Sequence, residues 1–136
     1  MKYTADSYFF IQLSKGTEKA KGIWDEIRLG KGRLIVPTIV IVEVKKRLLS
    51  YGLSKYADEL IEEFEASQKI SIVDLTLELA KKSGTAGNTY KCTTADAVIL
   101  TTAIETGYNN LISDGKHFFP AERQGKIKII SCDQSN

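Results

Sequence analysis

The chain has 136 residues, 43% of them hydrophobic and 26% charged, with a net charge of +2. That length suits one domain with a real core and is too short for two ordinary ones, so a single domain over residues 1–136 is expected. The charge is too mild to announce a nucleic-acid binder. No apolar run approaches the roughly 18 residues that span a bilayer, and Lys2 is followed too soon by Asp6 for a signal peptide; the expectation is a cytoplasmic protein with no membrane partner.

The elements follow in chain order. Lys2 to Ala5 reads as a strand and Ser7 to Leu13 as a short helix. Glu18 to Leu29 is a helix with Ile23, Trp24 and Ile27 on one face, ended by Gly30 and Gly32. Arg33 to Val36 is a strand stopped by Pro37. Ile39 to Leu49 carries β-branched residues that favour a strand, but its length and KKRLL ending favour a helix, with Thr38 as N-cap. Lys55 to Ser67 is an amphipathic helix, Ile70 to Val73 a strand and Leu75 to Lys82 a helix. Ser83 to Thr89 (SGTAGNT) reads as a loop. Thr94 to Thr106 is a helix apolar nearly all round, hence buried. Leu111–Ile112 and Ile127 to Ile130 are strands. Strands separated by helices predict a parallel α/β sheet.

The two cysteines, Cys92 and Cys132, form no C-x-x-C, and His117 is the only histidine. A zinc site of the usual type is excluded, and the cysteines read as reduced and structural. Four acids stand out instead. Asp6 closes the first strand, Glu43 interrupts the apolar run LIVPTIVIVEV, Asp96 is the sole charge between Thr93 and Ile104, and Asp114 ends NNLISD. Open parallel sheets bind ligands at the carboxyl ends of their strands, and all four acids fall on that edge. Each also has a plain alternative. Asp6 could cap the helix at Ser7, Thr93 and Asp96 match a capping pattern, Glu43 could pair with Arg47 at i, i+4, and Asp114–Gly115 is a common turn pair. Clustered carboxylates raise one another's pKa unless a cation is present, and Mg²⁺ and Mn²⁺ prefer such oxygen donors.

The order and spacing of YTADSYFFI, VPTIVIVEVKKRL, TTADAVILTTAIETGYNNLIS and KHF resemble the PIN domain, and more narrowly a VapC-type toxin ribonuclease. The resemblance runs from near Met1 to Phe119. It implies a three-layer α/β/α sandwich with a mostly parallel central sheet. It implies a Mg²⁺- or Mn²⁺-dependent endoribonuclease acting on single-stranded regions of tRNA, rRNA or mRNA, a small antitoxin partner and a homodimer. By motif match Asp6, Glu43 and Asp96 are catalytic metal ligands, Asp114 is the fourth catalytic acid and metal ligand, and Ser113 supports it. One departure is visible. Counted back from Phe118, the acid of the family's T-x-D-x-x-F pattern falls on Gly115, one residue after Asp114. In a strand that offset would turn the side chain to the opposite face.

RNA requires cations near the site; Lys45, Lys46, Arg47 and Lys116 are the candidates, with Arg123 beyond them. Tyr8 could stack on a base, whereas Phe9 and Phe10 read as core. Trp24 reads as core or as the wall of a groove for a partner helix, and His117 as a phosphate donor or a surface residue. Three other readings stay open: an RNA-processing nuclease that is not a toxin, a catalytically weak RNA-binding or scaffold module, and a receiver-like phosphoacceptor domain. The last would want an acidic pair after the first strand.

Overall fold

A computed structural model describes residues 1–133; the last three residues of the expected domain lie outside it. Short aliphatic and β-branched runs form the strands β1 (Lys2–Ala5), β2 (Arg33–Pro37), β3 (Ile70–Val73), β4 (Asn110–Ile112) and β5 (Lys128–Ile130). Between them lie α1 (Ser7–Ser14), α2 (Glu18–Arg28), α3 (Thr38–Ser50), α4 (Ser54–Ala66), α5 (Leu77–Tyr90), α6 (Thr94–Thr106) and α7 (Phe119–Arg123). All strand pairs are parallel, in the order β3-β2-β1-β4-β5. The sheet is therefore wholly parallel where a mostly parallel one was expected.

That order sets the position of the site. From β1 the chain steps outward through β2 to β3, then crosses back to β4 on the other side of β1. Right-handed crossovers then put the helices of the two halves on opposite faces. The strand order reverses between β1 and β4, and sheets of this kind take their ligands at the carboxyl ends of the strands at such a reversal. Helices on both faces explain why Tyr3–Ala5, Leu34–Pro37 and Leu111–Ile112 are buried without alternation.

One half of the core is aromatic. Phe10 packs against Phe9, Trp24 and Phe64, with ring centroids 5.1, 6.1 and 4.8 Å away. Trp24 is buried in this cluster, as the core reading expects, and its remaining edge lines a surface cleft with Leu13, Arg28 and Tyr56. On the other half, α6 is buried from Ala97 to Ala103, with α5 packed over it.

Three expectations need correction. Thr38 is not the N-cap of α3 but its first residue; Pro37 holds the cap position and makes no side-chain bond. Residues 83–89 are not a loop, since α5 continues through them to Tyr90 and Lys91 ends it in a left-handed conformation. The small residues that looked like breakers permit close packing on α6: a Cβ on Gly87 would lie 3.3 Å from that of Ala97. Tertiary contact here overrides propensity. Finally, α7 had no predicted counterpart, although Pro120 at its start is a fitting opening residue.

The aromatic cluster makes a direct prediction. Phe10→Ala should cost about 3–5 kcal/mol through lost burial and a cavity. The check is a lower urea midpoint with an unchanged m-value.

Candidate active site

Asp6 follows β1 and Ser113 follows β4, and parallel pairing sets them side by side. The register matches Ala5 to Ile112, and the Asp6 N–H donates to the Ile112 carbonyl at 3.1 Å. The buried Ser113 hydroxyl donates to Asp6 Oδ2 at 2.8 Å and accepts from the Gly115 N–H at 3.3 Å. The Ser7 hydroxyl donates to Asp6 Oδ1 at 3.3 Å. Asp6 occupies the N-cap position of α1 but makes no side-chain capping bond. Its carboxylate oxygens are held instead by the Ser7 and Ser113 hydroxyls.

Glu43 lies in the second turn of α3 and Asp96 in the first turn of α6. Thr93 caps α6, accepting from the Asp96 N–H at 3.3 Å, so the capping pattern is present. Capping uses the Asp96 backbone and leaves its carboxylate, 17% exposed, for the site. No ion pair joins Glu43 to Arg47 among the described residues; the Arg47 guanidinium donates to the Tyr51 hydroxyl at 2.9 Å.

The acids feel one another's charge. Burial pushes the Asp6 carboxyl above its usual range; the Ser113 bond and the Ser7 backbone oppose that, while the Asp96 and Asp114 charges add to it. Burial also raises Glu43, and the Asp6 and Asp96 charges raise it further, against smaller opposing effects of Ser7 and Arg47. The Asp96 charge therefore reaches both Asp6 and Glu43, so the three acids are electrical neighbours. Asp114 differs, because it is exposed, although its charge still reaches Asp6. Gly115 offers no replacement: it is buried with φ +93°, and a Cβ there would meet Phe119 at 3.1 Å and Ile129 at 3.3 Å.

No group of three or more His, Cys, Asp or Glu side chains among the described residues is already arranged around an ion position. The donor chemistry nevertheless fits a hard cation. Glu43 Oε1 is buried with no hydrogen-bond partner, a costly state for a carboxylate oxygen. A divalent ion would satisfy it and reverse the repulsion.

Of the basic candidates, Lys45, Lys46, Arg47 and Lys116 are all exposed, as is Arg123. Tyr8 is half-buried, with its hydroxyl donating to Asp133 at 2.7 Å and accepting from the Cys132 N–H. Both cysteines are free thiols. Ser7, which had no expected place at the site, bonds Asp6; its only sequence signal is its position directly after that acid. His117, expected as a phosphate donor or a surface residue, is exposed, and its Nδ1 lies 3.9 Å from Asp96 Oδ2.

The family model described as the PIN domain matches residues 5–122. No curated protein gives a significant match. Among solved structures, a toxin–antitoxin complex from Klebsiella pneumoniae aligns with a TM-score of 0.73 at 19% identity, covering 98% of this chain and 99% of that one. VapBC2 from Rickettsia felis bound to a promoter DNA fragment aligns at 0.72 and 12% identity, covering 98% and 100%. DNA-bound VapBC from Salmonella typhimurium aligns at 0.68 and 15%, covering 98% and 99%. Identities this low establish a shared fold. Among the described residues, no helix is long and apolar enough to cross a membrane.

The raised carboxyls set a pH dependence. Both are easier to protonate when folded, so their stabilising contribution is full below the unfolded range, about pH 4, and is lost as pH rises through the raised folded values. Asp6→Asn keeps an acceptor for Ser113 and removes the charge. In chelator it should raise Tm by a few degrees near neutral pH and by less near pH 4. Equal shifts at both pH values in scanning calorimetry would remove the like-charge account.

Proposed function

The chain belongs to the PIN domain family, and on that premise we propose that it is a divalent-metal-dependent endoribonuclease, the toxin of a VapC-type toxin–antitoxin pair. What supports this reading is that Asp6, just past β1, and Glu43 and Asp96, in the early turns of α3 and α6, feel one another's charge, with Glu43 Oε1 buried and unpartnered. Asp6, Glu43 and Asp96 are the proposed ligands of Mg²⁺ or Mn²⁺, with Asp114 as an outer acid. When bound, the ion supplies a water acidic enough to attack near neutral pH and offsets charge building on the phosphodiester.

The protein's own residues do the rest. Ser113 holds Asp6 in one rotamer by the 2.8 Å bond. Exposed Lys45, Lys46, Arg47 and Lys116 attract the phosphates and bring the strand to the acids. The substrate proposed is a single-stranded region of tRNA, rRNA or mRNA, because an unpaired strand can bend a phosphate into a crevice that a duplex cannot enter. The neighbours from Klebsiella pneumoniae, Rickettsia felis and Salmonella typhimurium are toxin–antitoxin or VapBC complexes; they support a small antitoxin as the partner here. A homodimer and a cytoplasmic site of action complete the proposal. The exposed side chain of Asp114 and the Gly115 that follows favour one second reading, a catalytically weak RNA-binding module.

Cleavage of single-stranded RNA should require Mn²⁺ or Mg²⁺ and stop with chelator. Ser113→Ala should slow it about 10- to 100-fold, the usual cost of losing a group that orients a metal ligand. Asp6→Asn, Glu43→Gln and Asp96→Asn should each cost more, and Asp114→Ala less than any of these. Single-turnover assays on a labelled oligonucleotide read the ranking. Cleavage indifferent to chelator and to Asp6→Asn would reject the metal-dependent reading. RNA binding without cleavage, and with no Mn²⁺ binding in calorimetry, would select the weak module. Expression alone should arrest growth if the chain is a toxin.

A further inference from the structure

Glu43, Arg47 and Tyr51 recur every four residues, so they lie along one side of α3 and its C-terminal turn. At 1.5 Å per residue Tyr51 stands about 12 Å from the level of Glu43, within reach of nucleotides flanking a phosphate held by the acids. Arg47 is turned along this line. Its guanidinium donates to the Tyr51 hydroxyl at 2.9 Å and lies 6.0 Å from the ring centroid. Tyr51 remains 46% exposed beside this cation.

An aromatic ring next to a guanidinium, on the surface and in line with a carboxylate site, has the parts of a single-strand platform. Bases stack on aromatic faces whatever their sequence, and Arg holds the backbone. We propose that Tyr51 and Arg47 form a ribonucleotide subsite beside the acids, with one base stacked on Tyr51 and the adjoining phosphate held by Arg47. This inference rests on the ribonuclease reading and deepens it, by giving the bound strand a direction along α3. Arg47 enters with a partner and a task, where before it was one of several basic residues near Glu43.

The test is binding of a fluorescein-labelled single-stranded RNA to the full chain carrying Asp6→Asn, read by anisotropy across a salt series in Mg²⁺. Tyr51→Ala in that background should weaken binding about tenfold while leaving the slope of log affinity against log salt unchanged. Tyr51→Trp should restore the affinity. Arg47→Ala should flatten the slope by about 0.7, the share of one phosphate contact on a single strand. Melting curves report the ordinary alternative, in which the Arg47–Tyr51 pair merely finishes the helix. A lower Tm with unchanged RNA affinity overturns the subsite, and so does weakening by Tyr51→Ala that Trp does not restore. If the Asp6→Asn chain binds no RNA and the unaltered chain cuts none, the ribonuclease reading itself fails and the subsite with it. If RNA is bound and cut but Tyr51→Ala changes nothing, only the subsite fails.

Discussion

Mutual repulsion among carboxylates is the constraint around which the molecule is arranged. Asp6 and Glu43 are raised by burial and by neighbouring acids, and Asp96 supplies charge to both. No hydrophobic gain comes from placing them so. They are held there because each is fixed to an element that the fold anchors elsewhere: Asp6 just past the end of β1 in mid-sheet, Glu43 on α3 between Val40 and Val44, and Asp96 on α6 just ahead of its buried stretch. The core stabilises the scaffold, and the scaffold keeps the acids from moving apart.

Topology makes the convergence unavoidable. In a wholly parallel sheet every strand delivers its carboxyl end to the same edge. The reversal between β1 and β4 leaves a gap there that no crossover covers. The first residue after β1 is Asp6 and the first after β4 is Ser113, and their hydrogen bond spans the gap. The rest of the site is built by helices that begin at this edge, so their early turns, rather than their middles, carry the acids.

A site built this way carries a cost in the absence of a cation, visible in the raised carboxyls and in the unpartnered oxygen of Glu43. Stored repulsion of this sort is common where charged groups are kept for function rather than for folding. The outer acid is the one the fold constrains least. Asp114 is solvated and costs the fold little, whereas Gly115 is wedged against Phe119 and Ile129 and has no room for a side chain.

Much of this was legible from local pattern. Short apolar runs and the helical period of 3.6 located the five strands and six of the seven helices among the described residues, and isolated acids in apolar runs marked the candidate site. Local pattern failed at residues 83–89, where the composition of a loop serves close helix packing, and at α7, which is too short to show a period. The sequence by itself determined which segments fold as strand or helix and that hard oxygen donors end several of them, because both are properties of neighbouring residues. Only the tertiary structure decided that Ser113 reaches Asp6 across 107 residues, that His117 stands by Asp96, and that Asp114 faces solvent. Those outcomes depend on strand order and register, set by the packing of distant segments, which no local window contains.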